Sequence, residues 1–501
     1  MRYNMRYKYF KLVGTPAQST ASDAGDRRGG RVKIGPPPYI YKIPLPDNYK
    51  NTTALSSPPR TTGNEPSVAT PNSLYPFRIF SVRLPRMKNL TATICLTLAV
   101  LLGSAGVSWS ADFNKGLTAY HSGDYATALR EWEPLAKQGD ASAQSFVGVM
   151  HGKGLGVPQD YKTAVKWWRL AAEQGNAYAQ SLLGLSYNRG NGVPQNDKTA
   201  VKWFRLSAEN GSMRGQLNLG LKYGNGRGVT KDDKTALKWF RLAADQGNGR
   251  AQNAVGSHYN YGKGVPQDDK TAVKWYRRSA ENGAMRGQFS LGNMYAFGKG
   301  VPKNHKTAVK WYRLAAEQGN ANAQSNLGVM YEDGTGVPKD YKTAVKWYTL
   351  AAKQGLARAQ NNLGFMYANG QGVPQDDKTA VKWYTLAAKQ GNADAQSNLG
   401  SMYYNGQGVA RNYKSAVKWW KLAAEQGQSQ SQSNLGVMYD NGRGVLRDYV
   451  RAHMWWSIAA SSGDKNAVKN RDIVAKRMTP AQIAAAQKLA RECVRKKYKG
   501  C

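Results

Sequence analysis

Two ladders of lysine carry the clearest chemistry in this chain. Lys162, Lys198, Lys234, Lys270, Lys306, Lys342, Lys378 and Lys414 recur every 36 residues, and Lys166, Lys202, Lys238, Lys274, Lys310, Lys346, Lys382 and Lys418 follow them four residues later. A spacing of four puts both ammonium groups of a pair on one side of a helix. Arg169, Arg205, Arg241, Arg277 and Arg313 extend that face by another turn. The chemistry open to such a row is anion binding, because like charges in line repel and an acidic partner relieves them. Two readings stand side by side: a stripe for an acidic envelope polymer, lipid headgroups or nucleic acid, and a solvated outer face that keeps the chain soluble. The formal charge of the 501 residues is +39, of which residues 1–86 hold only +10, so the repeated part is itself basic.

Catalytic chemistry is thin by comparison. His121, His151, His258, His305 and His453 fall at unrelated positions, with no pair at metal-ligand spacing and no cysteine beside them. No phosphate-cradling Gly-x-x-x-x-Gly-Lys-Ser/Thr and no Gly-x-Ser-x-Gly nucleophile elbow occurs. The many Gly-x-Gly turns lie between two helical stretches rather than between a strand and a helix, so they carry no dinucleotide meaning. The expectation is a non-catalytic chain with no cofactor, no metal and no small-molecule substrate. Beyond Cys95, the cysteines are Cys493 and Cys501. In an oxidising compartment this pair could tie the chain end back onto the last helix; in a reducing one it would remain two thiols.

The elements that position these residues follow from the period. Gly148 and Trp167 each begin a ladder of nine members, ending at Gly436 and Trp455, with no insertion. A fixed period of this size marks a solenoid whose units bury their apolar faces only by stacking. In residues 321–355 the spacing predicts a first helix over about Ala321 to Glu332, with Ala323, Leu327, Met330 and Tyr331 on one side. A second helix starts near the N-cap Asp340 and faces Ala344, Trp347, Tyr348, Ala351 and Ala352 inward. Gly355 closes it, and the next repeat begins at once. So short a link predicts a constant rotation between hairpins, hence a right-handed superhelix with a long concave face. The tryptophan ladder is assigned to the core between layers. The aromatic residues that follow it (Trp168, Phe204, Tyr276, Trp420) are expected to flank that core and to be partly exposed.

The recurring pattern A-x-x-Q-x-N-L-G-x-M-Y-x-x-G-x-G-V-P-x-D-x-K-T-A-V-K-W-Y-x-L-A-A-x-Q-G resembles the Sel1-like repeat family, a relative of the tetratricopeptide repeat with a longer loop between its helices. The resemblance covers residues 141–463 as nine 36-residue helix-loop-helix repeats. It implies an all-α solenoid acting as a protein–protein interaction scaffold or adaptor. Residues 112–140 resemble a tetratricopeptide-like capping hairpin. Residues 464–501 read as C-terminal capping helices, with a capping box at Thr479-Pro480-Ala481-Gln482 and Ile483, Ala486, Ala490 and Cys493 covering the last layer. One exported, cysteine-rich branch of the family is associated with penicillin binding and weak β-lactamase activity. That branch carries a disulfide in each repeat and this chain does not, which makes such activity a remote alternative.

Residues 87–111 have a basic start, an apolar run of about ten residues and small residues before Asp112, the plan of a cleaved secretory signal rather than a membrane span. Residues 1–86, rich in Pro, Ser, Thr, Gly and Arg, read as a gene-model artefact ahead of Met87 or as a disordered basic extension. The expected location is periplasmic or secreted, with no integral membrane span after cleavage. If a partner binds the concave face, its specificity should lie at first-helix positions that differ between copies: Tyr178, Met213, Arg214, Arg250, Met285, Arg286, Asn322, Arg358 and Asp394.

Overall fold

Local punctuation sets where each helix starts and stops. In the sixth repeat the Asn320 side chain accepts from Ala323 N at 2.9 Å, helix A runs Ala321–Asp333, and Gly334 ends it at φ 73°. Asp340 then caps helix B, Tyr341–Lys353, by accepting from Thr343 N at 3.0 Å. The Thr343 hydroxyl donates back to the same carboxylate at 2.6 Å. An N-cap of this kind is worth about 1 kcal/mol. The second glycine of the loop does more than turn the chain. Gly336 sits at φ 75°, and a Cβ there would lie 2.6 Å from the His305 carbonyl, at the start of helix B in the preceding repeat. Only glycine meets both demands.

The computed structural model describes residues 111–501, and among them the chain is all-helical, with 22 helices and no strands. Segment 1–86 and the signal-like stretch up to residue 110 lie outside the described residues. Nine consecutive helix A–helix B repeats of about 36 residues form a helical-repeat solenoid. A hairpin of Phe113–Ser122 and Tyr125–Lys137 precedes them, and helices Lys465–Ala475 and Pro480–Arg495 follow. The described chain falls into two compact units, one ending at Gly215 and the other spanning Gln216–Cys501.

The core corrects one expectation. The ladder tryptophans Trp167, Trp203, Trp239, Trp275, Trp311, Trp347, Trp383 and Trp419 are only half-buried. It is the aromatic after each of them that fills the core: Trp168, Phe204, Phe240, Tyr276, Tyr312, Tyr348, Tyr384 and Trp420 are all buried. The recurring glycine of helix A admits that ring. A Cβ at Gly364 would meet the Tyr384 ring at 2.8 Å, and one at Gly328 would meet Tyr348 at 2.5 Å. Where the ring is polar its head is satisfied: Trp168 Nε1 donates to Ser145 O at 3.2 Å, and Tyr312 Oη donates to Asn293 Oδ1 at 2.7 Å. Buried Tyr and Trp need such partners.

A second device invisible in the apolar pattern ties helices together. The glutamine of Ala-x-x-Gln is buried in the sixth repeat, where Gln324 Nε2 donates to Ala316 O of the preceding helix B at 3.0 Å. Its Oε1 accepts from Gln354 Nε2, the glutamine of the closing Gln-Gly, at 2.7 Å. The same relay recurs as Gln396 to Ala388 O and Gln426 to Gln396. Each one adds a second donor to a helix C-terminal carbonyl that already accepts from the closing glycine, as Ala316 O does from Gly319 N at 2.9 Å.

The C-terminal cap closes the array. Thr479 and Gln482 form a reciprocal capping box at the start of Pro480–Arg495. Ala486, Ala490 and Cys493 of that helix are buried, whereas Ile483 is half-buried. Cys493 is disulfide-bonded to Cys501, and Tyr498 between them packs against the cluster built on Trp420 and Trp455.

Candidate partner-binding faces

Two faces remain once the core and the glutamine relay have taken their residues. The first lies on helix A, two positions before the buried glutamine. In the unit ending at Gly215, Tyr178 and Arg214 hold this position, both half-buried. The Arg214 guanidinium lies 5.3 Å over the Tyr178 ring, which in turn sits 6.3 Å from Phe146. Burial pushes the Tyr178 hydroxyl above its ordinary pKa, against the pull of Arg214. Met213 stands one position earlier and is also half-buried.

In the unit Gln216–Cys501 the same position is occupied by Arg250, Arg286, Asn322, Arg358 and Asp394. Arg250, Arg286, Asn322 and Asp394 are exposed. Arg358 is instead turned back on the preceding repeat, donating from Nε to Ser325 Oγ at 3.1 Å and from Nη2 to Asn326 Oδ1 at 3.0 Å. Met285 packs against the core cluster around Tyr312. The predicted set therefore separates into side chains open to a partner and side chains, Arg358 and Met285 above all, that the repeats use themselves.

The second face is the outward side of helix B. All sixteen ladder lysines, from Lys162 and Lys166 to Lys414 and Lys418, are exposed. Among the described residues none of them is ion-paired to a carboxylate. The arginines expected to continue this stripe behave differently. Arg169, Arg277 and Arg313 donate from Nη2 to the hydroxyls of Tyr187, Tyr295 and Tyr331 in the next helix A, at 3.1, 2.8 and 2.7 Å. Arg241 donates likewise to Tyr259. These contacts join repeats, a role that the lysines do not share. Asp160, Asp232, Asp268, Asp340 and Asp376 at the helix B N-caps are held below the usual carboxylate range: at Asp340 the Thr343 hydroxyl and backbone N–H do this, and Lys342 adds to the effect.

A polar cleft of about 530 Å³ opens between the last helix B and the capping helices, lined by His453, Ser457, Arg471, Asp472, Gln487, Ala490 and Arg491. His453 Nδ1 lies 3.3 Å from Ser457 Oγ. Activation of a serine needs a histidine that a third group orients. Here the Asp472 carboxylate is taken by Arg471, at 2.7 and 2.9 Å from Nη2 and Nε, and burial followed by Arg471 lowers the His453 pKa. Among the described residues no group of three or more His, Cys, Asp or Glu is arranged to hold a metal ion. No helix among them is long and apolar enough to cross a membrane.

Comparison with known proteins agrees with this anatomy. The Sel1 repeat matches residues 141–176, 177–212, 214–248, 249–283, 286–320, 321–356, 357–392, 393–428 and 429–464. The chain is similar to c5321, a protective antigen present in uropathogenic Escherichia coli strains and displaying an SLR fold. That likeness has 33% identity and a TM-score of 0.50, covering 82% of this chain and 96% of that one. It is also similar to a Sel1 repeat protein from Oxalobacter formigenes, at 35% identity and a TM-score of 0.47 over 68% of this chain and 93% of that one. Among curated proteins none matches. Sel1 repeats generally mediate protein–protein interaction and form a non-enzymatic scaffold family. The glycine that admits the core ring and the glycine pair of the loop recur through nine matched spans, and on that ground the chain belongs to the Sel1 repeat family.

Proposed function

We propose that this chain is a scaffold of the cell envelope or a secreted adaptor, and that helix A presents its specificity residues to a protein partner. The observation that carries the reading is the contrast along one helix position. Arg250, Arg286, Asn322 and Asp394 vary among Arg, Asn and Asp and stay exposed, while the glutamine two residues on is buried and hydrogen-bonded in each of these four copies. Exposed polar residues that the scaffold does not employ are where a rigid array can vary its partner at no cost to folding. Export is supported by the signal-like pattern of residues 87–111 and by the Cys493–Cys501 bond, since disulfides persist in oxidising compartments.

Affinity capture of the tagged chain from an envelope extract, at low and at high salt, tests this reading. A discrete protein should remain bound at high salt and be lost when Asn322 and Asp394 are exchanged with each other. Recovery of acidic polymers alone, released as salt rises, would instead give the working surface to the lysines.

A further inference from the structure

The last repeat departs from the others at several positions, and one set of them lies on a single helix face. Its helix B, Tyr449–Ser461, carries Val450, Met454 and Ile458 where the preceding repeat has Lys414, Lys418 and Leu422. Residues spaced by four share a helix face, so the exchange converts the outward lysine face into an apolar one. That face is covered: Met454, Trp455 and Ile458 are 4%, 1% and 1% exposed and form one cluster with Ala490 and Cys493 of the helix Pro480–Arg495. The outward side of a helix B is therefore shaped to receive a second helix that presents small residues at spacings of four and three.

In the earlier repeats of the same unit this seat is open. Leu314, Leu350, Leu386 and Leu422 are 37%, 39%, 47% and 38% exposed, at the position where Ile458 is covered. Trp311, Trp347 and Trp383 are half-buried where Trp455 is sealed. A single exposed leucine needs no explanation, but here a leucine stands beside a half-open tryptophan in repeat after repeat. The row is bordered by lysines without carboxylate partners.

We infer that the outward face of helix B in repeats five to eight is a docking seat for an amphipathic α-helix of a partner protein, with small apolar residues on its buried side and acidic residues facing the lysines. It lies along helix B as the chain's own Pro480–Arg495 lies on the last repeat, with Asp or Glu meeting the lysines that occupy, in these repeats, the positions of Val450 and Met454. This deepens the scaffold reading by naming a second surface and the chemistry of its occupant. It does not depend on helix A.

The test uses the full chain and a defined probe: a peptide of residues 478–495 with Cys493→Ala and with Ala485→Glu, Gln487→Glu and Val494→Glu beside its small-residue face, held helical by a lactam bridge on its far side. The control peptide carries Lys at the same three positions. Fluorescence anisotropy should show the acidic peptide binding at least ~10-fold more tightly than the control, in the range reported for close charge complementarity. The chain variant Leu314→Ala/Leu350→Ala/Leu386→Ala/Leu422→Ala should lose ~10-fold in affinity with unchanged helical circular dichroism, because these side chains are exposed. Lys342→Glu/Lys346→Glu should reduce the preference for the acidic peptide, while the Asn322 and Asp394 exchange leaves it unchanged. Equal binding of the two peptides, no binding of either, or a leucine variant that binds as the parent does overturns the inference. Retention on phosphatidylcholine–phosphatidylglycerol vesicles without binding of the acidic peptide also overturns it, and assigns the face to a lipid surface.

Discussion

His258 shows how one residue can depart from the repeat and set a condition on its stability. It occupies the helix A position held by Met294, Met330, Met366, Met402 and Met438 in later repeats and is 6% exposed. Its Nδ1 lies 2.8 Å from the Lys263 carbonyl, which only accepts, so that nitrogen carries the proton. The Phe240 ring packs 5.5 Å away. Burial lowers its pKa below the ordinary 6.5; Lys263 and Lys231 add to this, while the bond to Lys263 O and the charge of Asp233 oppose it. The unfolded chain then binds a proton that the folded one resists, so stability is full above pH 6.5 and falls as pH drops through that value toward the lower folded pKa. His258→Met should flatten this acid-side fall. Thermal melts between about pH 7 and 5 check it, and parallel losses in parent and variant would refute the assignment to His258.

At the scale of the element, the glutamine relay joins the end of one helix B to the next helix A and to the end of its own repeat. Gln324→Leu removes both bonds: the Ala316 carbonyl keeps only the Gly319 N–H, and the exposed Gln354 amide is left to water. A hydrogen bond whose partners find other matches is worth about 0.5–1.5 kcal/mol net. The variant should lose about that much in denaturant unfolding, and the cost should recur for Gln396→Leu, whose partners are equivalent. A loss below a few tenths of a kcal/mol at both sites would mean that the relay is ornamental. The loop glycines act on the same scale by a different route: Gly336 lets the loop of one repeat touch the start of helix B in the repeat before it, so loop and helix are placed together.

For the whole molecule, the capping helices decide whether the last repeat can end in water. Each repeat in such an array is stabilised by its neighbours, and a terminal one needs a cover. Truncation after Met478 removes the helix that seals Met454, Trp455 and Ile458, so the shortened chain should aggregate and unfold more readily. Writing the interior pattern back, Val450→Lys with Met454→Lys, should restore solubility to the truncated chain, because it recreates the exposed face that earlier repeats carry without harm. Static light scattering of the two truncated forms measures this, and equal aggregation would show that the cover matters for reasons other than the apolar face.

Period, helix boundaries and fold class were legible in the sequence because they rest on local chemistry: caps such as Asn320 and Asp340, breakers such as Gly334 and Gly355, and apolar residues at helical spacing. Those signals act within one turn of chain and need no neighbour. The choice between two adjacent aromatics did not rest on local chemistry. Trp347 and Tyr348 differ by about 100° around helix B, both fall within the apolar arc, and the invariance of the tryptophan pointed to the wrong one. Only the packing of Gly328 against a ring settles that Tyr348 is the core residue. The same holds for Arg313 and Arg358, which read as free charges in the sequence and are held by Tyr331 and by Ser325 and Asn326 in the fold. Their partners lie 18 and 32–33 residues away, so tertiary structure alone brings them within hydrogen-bond reach.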